Sequence, residues 1–285
     1  MSDSRSTSER AIVMDEDILI IGATGTLGSR IVRSLGKVGI KPRVLVRTAE
    51  KAAELVSAAT PVLGDLLAPA SLEPAFRHAQ HVFVIGQPTA DMEALERNAI
   101  EAALAAGAQR IVYLSNFTAR PGSELRPNHI HGVHEQLVSS LGVEWTVLGP
   151  TRYMTNFPFD WSSVVNDGVL LETGGSGLMT CIDPDDVADI AVKVLTEDGH
   201  DGQTYRLTSE EAYSADDLAV LLATFVGRDV SVVEGVPAEG YFAMVAEGKY
   251  LPTDTASRLL DRRPRNYTDW LRRNAPTMIN RVSRT

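Results

Sequence analysis

Gly22, Gly25 and Gly28 recur at a spacing of three, directly after the apolar run Ile18-Leu19-Ile20-Ile21 and directly before the helical pattern Leu27, Ile31, Val32, Leu35. A strand, a glycine turn and a helix in that order make a site for a diphosphate. Orphan N–H groups at the helix start face the anion, and the helix dipole favours negative charge there. Each glycine has its own reason. Gly22 ends the strand in a backbone shape that a Cβ resists, Gly25 lets the ligand approach the main chain, and Gly28 lets helix and strand pack closely. Thr24, Thr26 and Leu27 complete the turn and are assigned to the same ligand.

A dinucleotide needs further contacts along the carboxyl edge of the sheet that carries this turn. Arg47, with Thr48 beside it, ends the second strand-like run, and no Asp or Glu appears before Glu50. A carboxylate there would hold a ribose 2′-hydroxyl, whereas a guanidinium matches a 2′-phosphate. The reading is therefore NADP(H), with Lys51 and Arg30 as helpers. Asp65 and Leu66, ending the third strand, are assigned to the adenine, and Gly86 and Gln87, ending the fourth, to the adjacent ribose.

Hydride transfer to a carbonyl or quinone leaves negative charge on oxygen, and some group must donate a proton or hydrogen bond to it. His131 is the first candidate, because imidazole titrates near neutral pH; the alternative is a histidine that only packs or bonds a ribose. Ser115, with Asn116, ends the fifth strand, where a catalytic hydroxyl could sit or merely cap a loop. Pro150, Tyr153 and Met154 follow the sixth strand and are assigned to the nicotinamide end, Tyr153 as proton donor or, by preference, as pocket wall. His129, His131 and His134 do not form a metal set, since 129 leaves the helical face shared by 131 and 134. Cys181 reads as a buried small residue, and Asp183 and Asp186 as carboxylates opening a helix.

These residues need a scaffold that presents loop ends along one edge. Strand-like and helix-like segments alternate from residue 17 to about 150: strands at 43–47, 61–65, 81–86, 110–115 and 144–148, with helices between, the last at 128–141. The helix after the second strand turns Ala52, Leu55 and Val56 inward. This alternation implies an α/β, Rossmann-type, doubly wound parallel sheet with right-handed crossovers. Residues 1–16 read as a disordered lead and 17–155 as the NADP-binding domain. Residues 156–285 form a smaller substrate-side region partly interleaved with the main sheet. In it, 204–207 rejoins that sheet, and short strands at 168–171 and 178–182 flank a Gly174-Gly175 turn. The polar loop 116–127 is long enough to act as a lid. Trp145, Trp161, Phe157 and Phe159 read as core or pocket wall, and 235–250 as part of the substrate side.

The chain has 285 residues, 44% of them hydrophobic, and a formal net charge of -10. That balance argues against non-specific contact with nucleic acid or anionic membrane. Cys181 is the only cysteine, so no intrachain disulfide forms. No apolar run spans a bilayer and the first residues carry no apolar signal core, which points to the cytoplasm.

Taken together, Gly-Ala-Thr-Gly-Thr-Leu-Gly at 22–28, Val-Leu-Val-Arg at 44–47, Gly-Asp-Leu at 64–66 and His131-Gly-Val-His-Glu135 carry a resemblance. Leu148-Gly-Pro150 with Asn156-Phe157, and Ile182-Asp-Pro-Asp-Asp-Val-Ala188, extend it. The chain resembles the atypical short-chain dehydrogenase/reductases of the NmrA-like group, over most of residues 17–275. That group includes NADPH-dependent quinone reductases, with isoflavone-reductase-like enzymes as neighbours. Two departures stand out. Most members have Arg before the proline at 150, where this chain has Gly149. None of the seven tyrosines has a lysine four residues later, so the Tyr-x-x-x-Lys pair of the ordinary short-chain enzymes is missing; His131 holds the corresponding helix position. The resemblance implies an NADPH-dependent reductase of a quinone or related ketone or enone. It also allows a non-catalytic dinucleotide sensor of the NmrA type with a regulatory protein partner. Nucleotide-sugar epimerisation is weakened by the missing pair, and self-association stays open.

Overall fold

The computed structural model describes residues 17–156, 161–172, 177–234 and 251–282. The expected lead 1–16, Phe157, Phe159, the Gly174-Gly175 turn and the segment 235–250 lie outside the described residues.

β1 (Ile18–Ile20) is a three-residue strand with no exposed side chain. With it run β2 (Arg43–Val46), β3 (Thr60–Leu63), β4 (His81–Val84), β5 (Arg110–Leu114), β6 (Glu144–Pro150) and β10 (Gln203–Leu207). They form one seven-stranded sheet in the order β10-β6-β5-β4-β1-β2-β3, and every pairing in it is parallel. A parallel sheet must be covered on both faces. Successive residues of β1 show how: Ile18 and Ile20 enter the cluster under α1 (Gly28–Lys37) and α6 (Pro184–Thr196), while Leu19 and Ile21 enter the cluster under α3 (Leu72–Phe76), α4 (Met92–Ala105) and α5 (Arg126–Ser139). Each such fully buried side chain stabilises the fold by about 1.5–3 kcal/mol before entropy is counted.

The order reverses beside β1, which has β2 and β3 on one side and β4, β5, β6 and β10 on the other. Ligands bind such sheets at that reversal, outside the carboxyl ends of the strands. The expectation for 204–207 is met, since β10 pairs with β6 along its whole length.

A third cluster joins Met154, Val164, Leu170, Cys181, Leu218, Leu222, Trp270 and Leu271. Its elements are β8 (Val169–Glu172), β9 (Met179–Ile182), β11 (Ala212–Tyr213), α7 (Ala215–Val226), β12 (Ser231–Glu234) and α9 (Tyr267–Val282), whereas β7 (Arg152–Tyr153) and α8 (Thr255–Leu260) pack on the first cluster through Tyr153, Ala256 and Leu259. Tyr267 and Trp270 stack in it with ring centroids 5.6 Å apart.

Three local expectations change. The strands on either side of residues 174–175 belong to different sheets: β8 pairs with β12, and β9 with β7 and β11. Val56 lies 58% exposed rather than inward, because α2 (Ala49–Leu55) ends before it. α5 begins at Arg126, two residues early, with Pro127 in its first turn, where a missing N–H costs nothing.

Candidate active site

The glycine turn has the geometry that its spacing predicts. Gly22 takes φ +76°, and a Cβ on Gly28 would stand 2.2 Å from the Gly22 carbonyl oxygen. The turn is closed by Gly25 N–H donating to the Gly22 carbonyl at 3.0 Å and Ser29 N–H to the Gly25 carbonyl at 3.1 Å. α1 has no side-chain cap and no acidic residue in its first turn. By contrast, Asp183 caps α6, and Ser214 with Asp217 forms a capping box on α7. A helix start with these features and a bare backbone cradle suits an external anion. The residues present therefore fit a dinucleotide diphosphate. Leu27 is 3% exposed and packed in the core, so only its backbone can serve that ligand.

Beside the turn opens a cleft of about 550 Å³ lined by Gly22, Thr24, Arg47, Thr48, Lys51, Asp65, Leu66 and Gln87. Four separate strand ends thus meet there. Arg47 is exposed at the cleft, while Lys51 pairs with Glu54 at 2.9 Å. Asp65 spends one oxygen on the Leu67 N–H, at 3.0 Å, which shapes its own loop. One assignment changes. Arg30 donates to the Thr26 carbonyl at 2.6 Å and pairs with Asp185 at 2.9 Å, so it staples the glycine turn to α6 instead of helping Arg47. Gly86 is the packing seat of Glu96: a Cβ there would lie 1.7 Å from Glu96 Oε1, so a glycine is needed on that side, and its half-buried backbone is the part that faces the cleft end of β4.

Further along the edge, His131 and Glu135 lie one turn apart on α5 and share a face. Ser115 Oγ donates to Glu135. Arg206, from β10, grips Glu135 with both terminal nitrogens, each contact 2.7 Å, and also donates to the Asn116 carbonyl at 2.9 Å. Arg206 stands opposite Gly149 in the β10–β6 register, and a Cβ on residue 149 would come within 2.4 Å of its Nη1. Position 149, where the resemblance leads one to expect arginine, is thus covered by a guanidinium from the adjacent strand. Arg206→Met would leave Glu135 with Ser115 alone. Full burial would make that loss about 3–5 kcal/mol; with the pair 28% and 16% exposed, about 2 kcal/mol is expected in urea unfolding. A loss below about 0.5 kcal/mol would show the pair to be ornamental.

His131 is held from behind. Its Nδ1 lies 2.7 Å from the Tyr113 hydroxyl, which donates to Glu96 Oε2 at 2.6 Å; His134 Nδ1 meets the same oxygen at 2.6 Å. Burial pushes the His131 imidazole below its ordinary range, opposed by the charges of Glu96 and Glu135. Burial, reinforced by Glu96, pushes the Tyr113 phenol far above its ordinary range. Neither Glu96 nor Tyr113 nor Arg206 stood out from the sequence. Glu96 had one legible sign, a lone acid on the stripe Met92, Ala99, Ile100, Ala103 that α4 turns inward.

The remaining candidates are placed apart. Burial also raises the Tyr153 phenol far above its ordinary range, and its ring packs on the main core, which suits a wall better than a donor. Met154 is fully buried in the third cluster, so its assignment to the nicotinamide is corrected to a core role. Pro150 is buried, and its carbonyl accepts from Phe117 N–H at 3.0 Å. Cys181 is buried and its thiol is pushed up to about 11 by burial. His129 accepts from the Gly122 N–H at 2.9 Å, away from His131 and His134. Among the described residues, no three His, Cys, Asp or Glu side chains gather as a metal site requires. The 116–127 loop is not poised as a lid: Arg120 N–H donates to the Asn128 carbonyl at 3.0 Å, and a Cβ on Gly132 would strike Arg120 and Pro121 at 2.2–2.3 Å.

Comparison with known proteins bears on this geometry. A family model described as NAD(P)H-binding matches residues 22–198, the stretch from the first glycine to just past α6. The chain belongs to the NAD(P)H-binding family. Within it, the chain is of the atypical short-chain, NmrA-like kind. It is 30% identical to the NAD(P)H azoreductase of Xenophilus azovorans over 272 residues, covering 94% of each chain. It is 29% identical to quinone oxidoreductase 2 of Escherichia coli, over 86% of each. The structure of that E. coli oxidoreductase with NADPH superposes with a TM-score of 0.80 at 25% identity, covering 90% of this chain and 99% of the other. Citrobacter sp. triphenylmethane reductase with NADP(H) superposes at 0.79 with 25% identity, covering 90% and 99%. No described helix is long and apolar enough to cross a membrane.

Proposed function

We propose that the protein is an NADPH-dependent oxidoreductase that reduces a quinone or a related ketone or enone. The observation that carries this reading is His131, fixed through Nδ1 at the carboxyl edge of the sheet that also bears the dinucleotide cleft. Relatives matched over nearly their whole length are named reductases of azo compounds and quinones, which favours turnover over a purely sensing role.

Bound NADPH would supply the hydride. The protein's part is position and protons. The glycine turn and the start of α1 hold the diphosphate, and Arg47 meets the 2′-phosphate. Arg206, Glu135 and Ser115 brace the end of β5 against α5. With Nδ1 bonded to Tyr113, Nε2 of His131 is the nitrogen left for the oxygen that gains charge, and it donates there when the Tyr113 proton is turned to Nδ1. Quinone reduction is intrinsically favourable and asks mainly for positioning, which fits a site without Tyr-x-x-x-Lys. A cytoplasmic setting and a small-molecule substrate, without nucleic acid or membrane, complete the proposal.

Following NADPH absorbance against a panel of quinones, ketones, enones and azo compounds tests it. Turnover is expected with quinones; tight NADPH binding without turnover of any acceptor would overturn the proposal. The choice of dinucleotide is tested separately. Arg47→Ser removes a charge-assisted bond, so NADPH affinity should fall about tenfold to a hundredfold while NADH affinity holds. Equal changes for both would detach Arg47 from the phosphate.

A further inference from the structure

A carboxyl group inside a hydrophobic layer is costly and needs a reason. Glu96 sits on the inward stripe of α4 with its side chain wholly buried, where leucine or methionine would fill the same space. Gly86 makes room for it by having no side chain. Its Oε2 takes both the Tyr113 hydroxyl and His134 Nδ1, while Oε1 has no hydrogen-bond partner among the described residues and lies 3.8 Å from His131 Nδ1. Tyr113 sits between this carboxyl and His131, within 2.7 Å of each. The other charged groups facing His131 are Glu135 on its own helix and Arg206 on β10, and these two neutralise each other as an ion pair.

We infer that Glu96 and Tyr113 form an internal proton line to His131, so that the proton reaching the reduced substrate is drawn from Glu96. The inference rests on the reductase reading given above.

The line has two arrangements. In the first, Glu96 carries a proton and donates it to the Tyr113 oxygen, Tyr113 donates to His131 Nδ1, and Nε2 bears the imidazole proton. When hydride arrives at the substrate with its electron pair, the carbonyl π pair moves to oxygen. That oxygen takes the proton from Nε2, Nδ1 takes the phenolic proton, and the phenolic oxygen takes the carboxyl proton. In the second arrangement Glu96 is a carboxylate, Tyr113 donates to it, and His131 carries its proton on Nδ1. One proton has left Glu96 and one has reached the substrate. The imidazole is neutral before and after, which agrees with a burial that disfavours its cation. Water restores the first arrangement by the reverse path once the product has gone. His134, through Nδ1, keeps Oε2 turned toward the phenol in both.

Two acceptors separate this role from a structural one. A quinone needs a proton on oxygen; a triarylmethyl cation takes hydride on carbon and needs none. Tyr113→Phe keeps the ring and removes the hydroxyl. It should lower kcat for the quinone about tenfold or more and flatten the pH dependence of that kcat, with kcat for the dye held within about twofold. Glu96→Gln should repeat the pattern. In the protein without dinucleotide, nitrogen-15 shifts of His131 should show a changed balance of its two neutral tautomers in Tyr113→Phe. Equal losses with both acceptors, or unchanged quinone turnover and unchanged tautomer balance, would overturn the proton line. If the line alone is wrong, the parent protein still reduces quinone and His131→Ala still slows it. If the parent protein reduces neither acceptor, the reductase reading falls and the line with it.

Discussion

Gly28→Ala is expected to abolish useful dinucleotide binding. The added Cβ would stand 2.2 Å from the Gly22 oxygen, 2.7 Å from its carbonyl carbon and 2.8 Å from the Ala23 α-carbon. All three are backbone atoms of the turn itself, so no flexible side chain can give way. α1 must move off β1, and the N–H groups at its start then miss the diphosphate. Overpacking of this kind costs about 1–3 kcal/mol of stability. A dinucleotide affinity at least about a hundredfold weaker should follow, because the anion site is the displaced part. Gly36→Ala is the control. It lies in the same helix with nothing within 4 Å of a new Cβ, and should raise stability by up to about 1 kcal/mol. Calorimetry with NADPH and thermal melting of both variants check this pair; similar behaviour of the two would refute the steric argument.

His131→Ala carries the second large effect. Loss of a positioned acid typically costs about 10²–10⁴ in rate, so kcat for a quinone should fall in that range. NADPH affinity should change little. The opposite pattern, weakened NADPH binding with kcat preserved, would mean that the imidazole bonds the ribose instead. The two outcomes are read from one set of measurements, an NADPH titration and a quinone saturation curve. Tyr113 supports the first outcome, since it holds the ring by Nδ1 and leaves Nε2 for a ligand atom.

The contrast between these two residues shows where reading the chain stops. Gly28 is legible because its constraint is local: the residue that would collide with it is six positions away, in the same turn. His131 is legible as a titratable side chain on a helix after the fifth strand, but its chemistry is not. The groups that hold its ring are Tyr113 on β5, 18 positions from His131, and behind it Glu96 on α4, a further 17 positions away. Met154 failed for a related reason. Its place after β6 suggested the ligand edge, yet the side chain turns into a core built from α7 and α9, which no local pattern announces.

Local spacing determined the glycine turn, the parallel α/β alternation and the guanidinium at the end of β2, and it marked 204–207 as a strand able to rejoin the main sheet. Turn geometry, strand period and helix period act over a few residues, so residue types alone carry them. Tertiary structure decided that Arg206 covers Gly149 and grips Glu135, that Glu96 fills the space above Gly86, and that β8 pairs with β12 and not β9. Those outcomes depend on strand register and on which buried polar groups find each other across distant elements. A buried charge or hydroxyl states only that it needs a partner; the fold names which one.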